Sequence, residues 1–291
     1  MSIESWQDVA MNSPAPTWHG YAVSANVSLL FTEVPYLERF SAAASVGFTA
    51  VETWWPFSGA TPSHREKQQL LEALEAAGVA LTGMNVFAGD MAAGDRGIAC
   101  HPERADELQS SLEALHWIAE RTGCRGFNLL HGQLPGADAG TARDAAVRAY
   151  RRAAEVLGDL PDSPGVVLVE PLARGLNGTY PLETARDALE LIDEVEAPTL
   201  KLLLDSFHLG LNGEDLPAVV EGAAERIGHV QLADAPDRGE PGSGTVDFAA
   251  LGDALRASGY TGSVAAEYRP TGETLSTLGW LSGPSADGSL A

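Results

Sequence analysis

Along the chain, short runs rich in Val, Ala and Leu alternate with longer runs in which apolar residues recur every three to four positions. The short runs predict strands at YAVSAN (21–26), TAVET (49–53), VALTGMN (79–85), RGFNLLH (125–131), GVVLVE (165–170), LKLLLD (200–205), GHVQLAD (228–234) and SVAAEY (263–268). The longer runs predict helices between them: YLERFSAAASVG, SHREKQQLLEALEAAG, PERADELQSSLEALHWIAERTG, TARDAAVRAYRRAAEVLGDL, PLETARDALELIDEV, DLPAVVEGAAERI and VDFAALGDALRASG. Gly78 and Gly123 stand where a helix stops in a left-handed residue, and Pro102 stands near a first turn.

Strands alternating with helices require a parallel sheet, and eight such units favour closure into an α/β fold of the (β/α)₈ TIM-barrel type. A doubly wound open sheet is the competing architecture. Its nucleotide-binding version is weakened because no GxGxxG follows the first strand. The 291 residues suit one barrel domain over 20–280, preceded by a loose extension (1–19) and followed by a small polar tail (281–291).

The formal net charge is −22, which repels phosphate backbones and anionic lipid and disfavours nucleic-acid and membrane roles. No apolar run approaches the roughly 20 residues of a membrane span. The first 20 residues carry acidic groups and neither a cationic nor an apolar targeting region, so the cytoplasm is expected. Cys100 and Cys124 form no CxxC pattern. A homo-oligomer is left open.

In a closed barrel the strand C-termini surround one mouth, and chemistry gathers there. The last polar residues of the eight predicted strands are Asn26, Glu52, Asn85, His131, Glu170, Asp205, Gln231 and Glu267. Polar residues end many strands, so no single position decides the matter. Glu170 and Glu267, however, follow the very apolar runs VVLV and SVAA, where a lone buried carboxylate is costly. With Asp205 they bring three negative charges to one rim, where one would take up a proton unless a cation intervened. Gln231 adds an amide oxygen. This all-oxygen set favours Mg²⁺ or Mn²⁺ over Zn²⁺. His208, one short turn beyond Asp205, could reach a substrate oxygen; its alternative is a backbone-bonded helix start. TWWPFSG (53–59) offers Trp54, Trp55 and Phe57, one of which is expected to face the pocket. The only lysines, Lys67 in a helix and Lys201 near a strand start, argue against Schiff-base chemistry.

The stretches VEP, LLLDSFH, GHVQLADAPDRGEPGSGTVDF and AAEYRP, with the opening VSANVSLLFTEVPYLERFSAAASVGFTAVE, resemble the hydroxypyruvate isomerase family of xylose-isomerase-like barrels over about residues 20–280. The paired motifs D-x-x-H and Q-x-A-D-x-P-x-R-G-E-P-G-x-G are its most specific part. The resemblance implies one divalent metal held by Glu170, Asp205, Gln231 and Glu267, with Glu170 and Glu267 also acting as an acid/base pair. It implies that His208 and Arg238 contact substrate oxygens, and Asn85 and Trp54 are added as substrate-side candidates. His131 departs from the small residue the family has near that point, and the GDMAAGDRGIACHPER loop matches too loosely to give Arg96 or His101 a role.

The implied reaction converts hydroxypyruvate to tartronate semialdehyde by proton transfer through an enediolate, with Arg238 meeting the substrate carboxylate. Arg238 in a loop salt bridge with Asp237 or Glu240 is its structural alternative. Related readings are a ketose 3-epimerase, which usually has a histidine in place of Gln231, and a four-carbon 2-oxo acid isomerase. A phosphodiester-cleaving relative ranks far below, given seven scattered histidines and the negative charge. A non-enzymatic metal or sugar binder is opposed by the intact glutamate pair.

Overall fold

A computed structural model describes residues 15–134 and 139–281. Its strands are β1 (Tyr21–Asn26), β2 (Ala50–Thr53), β3 (Ala80–Asn85), β4 (Gly126–Asn128), β5 (Val166–Val169), β6 (Leu200–Asp205), β7 (Ile227–Leu232) and β8 (Val264–Ala266). Each pairs in parallel with the next, and β1 closes on β8 through Val23↔Val264 and Ala25↔Ala266. The eight-stranded parallel barrel is therefore complete, and the open doubly wound sheet is excluded.

The helices are α1 (Arg39–Ser45), α2 (His64–Ala77), α3 (Ala105–Thr122), α4 (Ala139–Gly158), α5 (Ala185–Val195), α6 (Ser206–Leu211), α7 (Leu216–Ala223) and α8 (Phe248–Ala257). Their apolar stripes bury against the strands: Leu108, Leu112, Leu115 and Ile118 of α3 lie at the spacing of one helix face. Full burial of each such side chain is worth about 1.5–3 kcal/mol. Gly78 (φ 67°) and Gly123 (φ 77°) end α2 and α3 in the left-handed region, as their sequence positions predicted. Ser63 and Glu66 form a capping box that starts α2.

Several boundaries differ from the sequence pattern, each for a local reason. The fifth helix starts at Ala185 rather than Pro181 because Thr184 and Asp187 close a capping box there. A further short helix, α6, follows β6 directly, with the Asp205 side chain accepting from the backbone N–H groups of Phe207 and His208. Strand β4 ends at Asn128, three residues before His131, which instead bridges to Gly97. Thr17–Trp18, placed by the sequence in the extension, pairs antiparallel with the start of β1, and Trp18 is buried. Residues 1–14 of that extension and residues 282–291 of the tail lie outside the described residues. Among the described residues no helix is long and apolar enough to cross a membrane.

Candidate active site

The strand C-termini do converge. Asn26, Glu52, Asn85, Glu170, Asp205, Gln231 and Glu267 are all buried, and Asp205 is fully enclosed. A cavity of about 550 Å³ opens at this mouth and is lined by Trp54, Asn85, Glu170, His208, Arg238 and Glu267, among others. Every candidate substrate residue of the sequence therefore reaches one space. Of the three clustered aromatics only Trp54 lines it, whereas Trp55 packs edge-on against Phe57 and Phe87.

Glu170 follows β5 and receives Asn128 Nδ2 at 2.6 Å. Burial and the neighbouring Asp205 carboxylate push its pKa up to about 8. Glu267 follows β8 and takes three donors: Asn26 Nδ2 (2.9 Å), Trp54 Nε1 (2.6 Å) and Arg238 Nη2 (2.6 Å). Burial still holds its pKa well above the ordinary carboxylate range, against the pull of Arg238. Arg238 Nη2 also reaches Asp205 Oδ2 at 3.2 Å. The guanidinium thus bridges two rim carboxylates, and neither Asp237 nor Glu240 pairs with it. Its Nε is buried with no partner among the described residues.

The backbone around Arg238 is built for this placement. Asp234 accepts from the N–H groups of Gly242, Gly244 and Val246 at 2.8–2.9 Å, folding the glycine-rich loop back on itself. Arg238 adopts φ 60°, and its carbonyl accepts from Arg269 N–H at 2.7 Å.

His208 Nδ1 accepts from the Ala173 backbone N–H at 3.0 Å, a group that can only donate. Burial pulls the His208 pKa down to about 4, against the pull of Asp205, so the ring is neutral and Nε2 carries its proton. That Nε2 lies 3.6 Å from Glu170 Oε1 and 3.7 Å from Asp205 Oδ2. Glu170, Asp205 and His208 together form a group close enough to hold a cation. With Nδ1 occupied and Nε2 protonated, His208 suits a donor to a substrate oxygen better than a ligand.

Sequence reasoning gave Glu52 no role and did not mark His229. Glu52 Oε1 accepts from Asn26 Nδ2 (3.0 Å) and Gln231 Nε2 (2.8 Å). Its Oε2 lies 2.7 Å from His229 Nε2, whose Nδ1 meets Ser263 Oγ at 2.8 Å. Burial raises the Glu52 pKa, but His229 and these donors outweigh it and hold the group below its ordinary value. A carboxylate at this point fixes the amide of Gln231: its NH₂ faces Glu52, leaving Oε1 buried without a partner among the described residues. The ladder between β2 and β3 shifts register just before Glu52, which re-aims the strand end.

The place given to His131 needs correcting. Asn128, not His131, is the polar residue at the end of β4 and the one that touches Glu170. His131 is buried behind the mouth, where its backbone N–H donates to Tyr180 Oη at 3.0 Å and Tyr180 Oη donates to the Glu170 carbonyl. It does not line the cavity. The lysines stand away from the mouth: Lys67 lies over the Trp117 ring, and Lys201 Nζ donates to Glu225 O.

The same architecture occurs in known proteins. Residues 40–283 match the family of xylose isomerase-like TIM barrels. Over 269 residues the chain is 39% identical to a putative hydroxypyruvate isomerase of Streptomyces coelicolor, covering 89% of this chain and 94% of that one. The chain belongs to the hydroxypyruvate isomerase family. Its relatives include the hydroxypyruvate isomerase of Escherichia coli, 34% identical with 89% and 97% covered. They also include the 2-oxo-tetronate isomerase of Pectobacterium atrosepticum, 30% identical with 88% and 95% covered. Among solved structures, one named AP endonuclease, family 2, from Brucella melitensis superposes with a TM-score of 0.79 at 32% identity, covering 89% and 96%. As a member of this family the protein is an enzyme of the isomerase class, with a small-molecule substrate.

Proposed function

We propose that this hydroxypyruvate isomerase family member is a metal-dependent isomerase of a short hydroxy-oxo acid, hydroxypyruvate first, working by proton transfer through an enediolate. The observation that carries this reading is the pair Glu170 and Glu267, both buried, both lining one cavity, with the neutral donor His208 beside them.

The donor set suits a hard divalent cation. Glu170, Asp205 and Glu267 offer carboxylate oxygens, and the partnerless Gln231 Oε1 is an acceptor that the fold leaves unsatisfied at a cost of about 1–3 kcal/mol. We assign these four residues to Mg²⁺ or Mn²⁺. When bound, the cation would stabilise negative charge developing on the substrate oxygens.

One glutamate takes a proton from C3 of hydroxypyruvate, and a proton is delivered to C2, giving tartronate semialdehyde. The hydroxyl proton at C3 leaves as the aldehyde forms, and the C2 oxygen gains one. In this reading His208 Nε2–H donates to a substrate oxygen as its charge grows. Trp54 fixes Glu267 through its indole N–H and shields the site from water.

A four-carbon 2-oxo acid is the second reading, supported by the likeness to the 2-oxo-tetronate isomerase. DNA cleavage of the kind named for the Brucella protein is disfavoured by the charge of −22 and by a mouth lined by only one of the seven histidines, His208. The test is isomerisation of hydroxypyruvate, 2-oxo-tetronate and free ketohexoses by chelator-stripped protein with and without added Mg²⁺ or Mn²⁺. Cation-restored turnover of the acids is expected. A preference for ketohexoses would assign the protein to epimerisation, and turnover of neither acid would remove the proposal.

A further inference from the structure

An anionic substrate entering a chain of net charge −22 needs a local cation that is not already neutralised. Arg238 does not meet this description in the resting protein, because one of its nitrogens is shared by Asp205 and Glu267. Two further arginines line the same cavity: Arg269, whose side chain is exposed, and Arg96, half-buried on the loop between β3 and α3. Every hydrogen bond Arg96 makes among the described residues goes to a neutral oxygen. Its Nε donates to Asn177 Oδ1 (3.1 Å), and its Nη1 donates to the carbonyls of Met91 (3.2 Å) and Asp95 (2.7 Å).

The surroundings keep acids away from it. The adjacent Asp95 carboxylate is turned to Arg104 Nη1 at 2.8 Å and to the Asp90 backbone N–H. Gly89 makes room for this turn, since a Cβ there would fall within 2.1 Å of Asp95 Oδ2. Asn177 is held in the amide orientation that offers oxygen to Arg96, because its Nδ2 donates to the Ala173 carbonyl at 3.0 Å. Arg96 Nη2 has no partner among the described residues. A guanidinium fixed on one edge by neutral groups, and open on the other, is shaped to receive a carboxylate by its remaining N–H groups.

We propose that Arg96 is the carboxylate-recognising residue of this site and so sets its preference for oxo acids over neutral sugars. This rests on the isomerase reading above, and it moves the carboxylate contact from Arg238 to the loop after β3. Asn177 then acts as a positioning residue that links the loop after β3 to the loop after β5 across the substrate.

The test compares hydroxypyruvate with the neutral three-carbon pair dihydroxyacetone and glyceraldehyde, using the metal-loaded full-length enzyme. Where the neutral pair turns over too slowly, its inhibition constant against hydroxypyruvate replaces KM. Arg96→Met should raise KM for hydroxypyruvate by about 10–100-fold, the loss of a charge-assisted hydrogen bond, with kcat and the neutral-pair constant nearly unchanged. Arg96→Lys should recover part of the loss. Equal losses on acid and neutral compounds would show that Arg96 only braces its loop, and an unchanged KM would show that it makes no contact. Either result overturns the proposal while leaving the isomerase reading intact. Wild-type enzyme that isomerises neither oxo acid would instead overturn that reading, and this inference with it.

Discussion

Replacing Glu52 by glutamine should weaken metal binding without removing any ligand. In the wild-type protein the Gln231 amide can point only one way, because a carboxylate 2.8 Å from its nitrogen accepts and cannot donate. The substituted side chain could present an NH₂ of its own and pair with the reversed amide, turning the Gln231 oxygen away from the cation. The same change weakens the hold on Asn26, which donates at once to Glu52 and to Glu267. Loss of one charge-assisted hydrogen bond of about 1.5–3 kcal/mol corresponds to roughly 10–100-fold in affinity, the usual effect of disturbing a ligand's supporting partner. Relief of repulsion works the other way, since the Glu52 charge raises the pKa of Glu170 and Glu267. It is the weakest of the named influences on both, behind burial and Asp205 for Glu170, so a net loss is expected. The assay is Mn²⁺ titration of chelator-stripped Glu52→Gln protein followed by electron paramagnetic resonance of free Mn²⁺, with circular dichroism to confirm the fold. A folded variant with wild-type Mn²⁺ affinity would refute the argument that Glu52 orients Gln231.

Glu170→Gln and Glu267→Gln keep side-chain shape but cannot exchange a proton; each should lower turnover by at least about 10²–10⁴-fold, and near-normal activity in either would remove it from the acid/base pair. His208→Gln should lower kcat by about 10²–10³-fold while leaving Mn²⁺ affinity unchanged, whereas a parallel fall in affinity would make His208 a ligand. Mn²⁺ binding near pH 7 should release about one proton or more, read by calorimetry in buffers of different ionisation enthalpy, because burial and Asp205 hold the metal-free Glu170 up to about 8. The raised value also means that the contribution of Glu170 to the stability of the stripped protein is full below the ordinary carboxyl value and is lost as pH rises through about 8, while Mn²⁺ affinity climbs. An affinity independent of pH over that range would contradict the burial argument.

The barrel was readable because each strand and helix repeats a local rule. Gly78 and Gly123 announce helix ends, and apolar runs such as VVLV require a strand enclosed on both faces. Asp205 and Glu267 were readable as rim residues because they end such runs. What the sequence could not show is pairing across the barrel. Glu52 and His229 are 177 positions apart, and neither residue type announces the other. Arg238 was visible as a loop cation, yet its partners are Asp205 and Glu267 rather than the acids beside it in sequence. The error at His131 has a similar source: the apolar residues Leu129 and Leu130 continue the strand pattern after the chain has left the ladder at Asn128. Arg96 could be given no role from its loop motif, because its distinguishing property is the absence of a neighbouring acid, and the sequence places Asp95 directly beside it.

The central claim is that buried glutamates move a proton between adjacent carbons of an oxo acid with the help of a divalent cation. It is tested most directly by running the reaction on hydroxypyruvate in D₂O, with stripped and Mn²⁺-reconstituted protein, and reading carbon-bound deuterium by NMR. The reconstituted enzyme should place solvent deuterium at C2 of the product, at least in part, and at C3 of recovered substrate as the reaction reverses, while the stripped protein should place none. Full turnover with complete retention of the substrate hydrogen, or equal turnover with and without the cation, would contradict the claim.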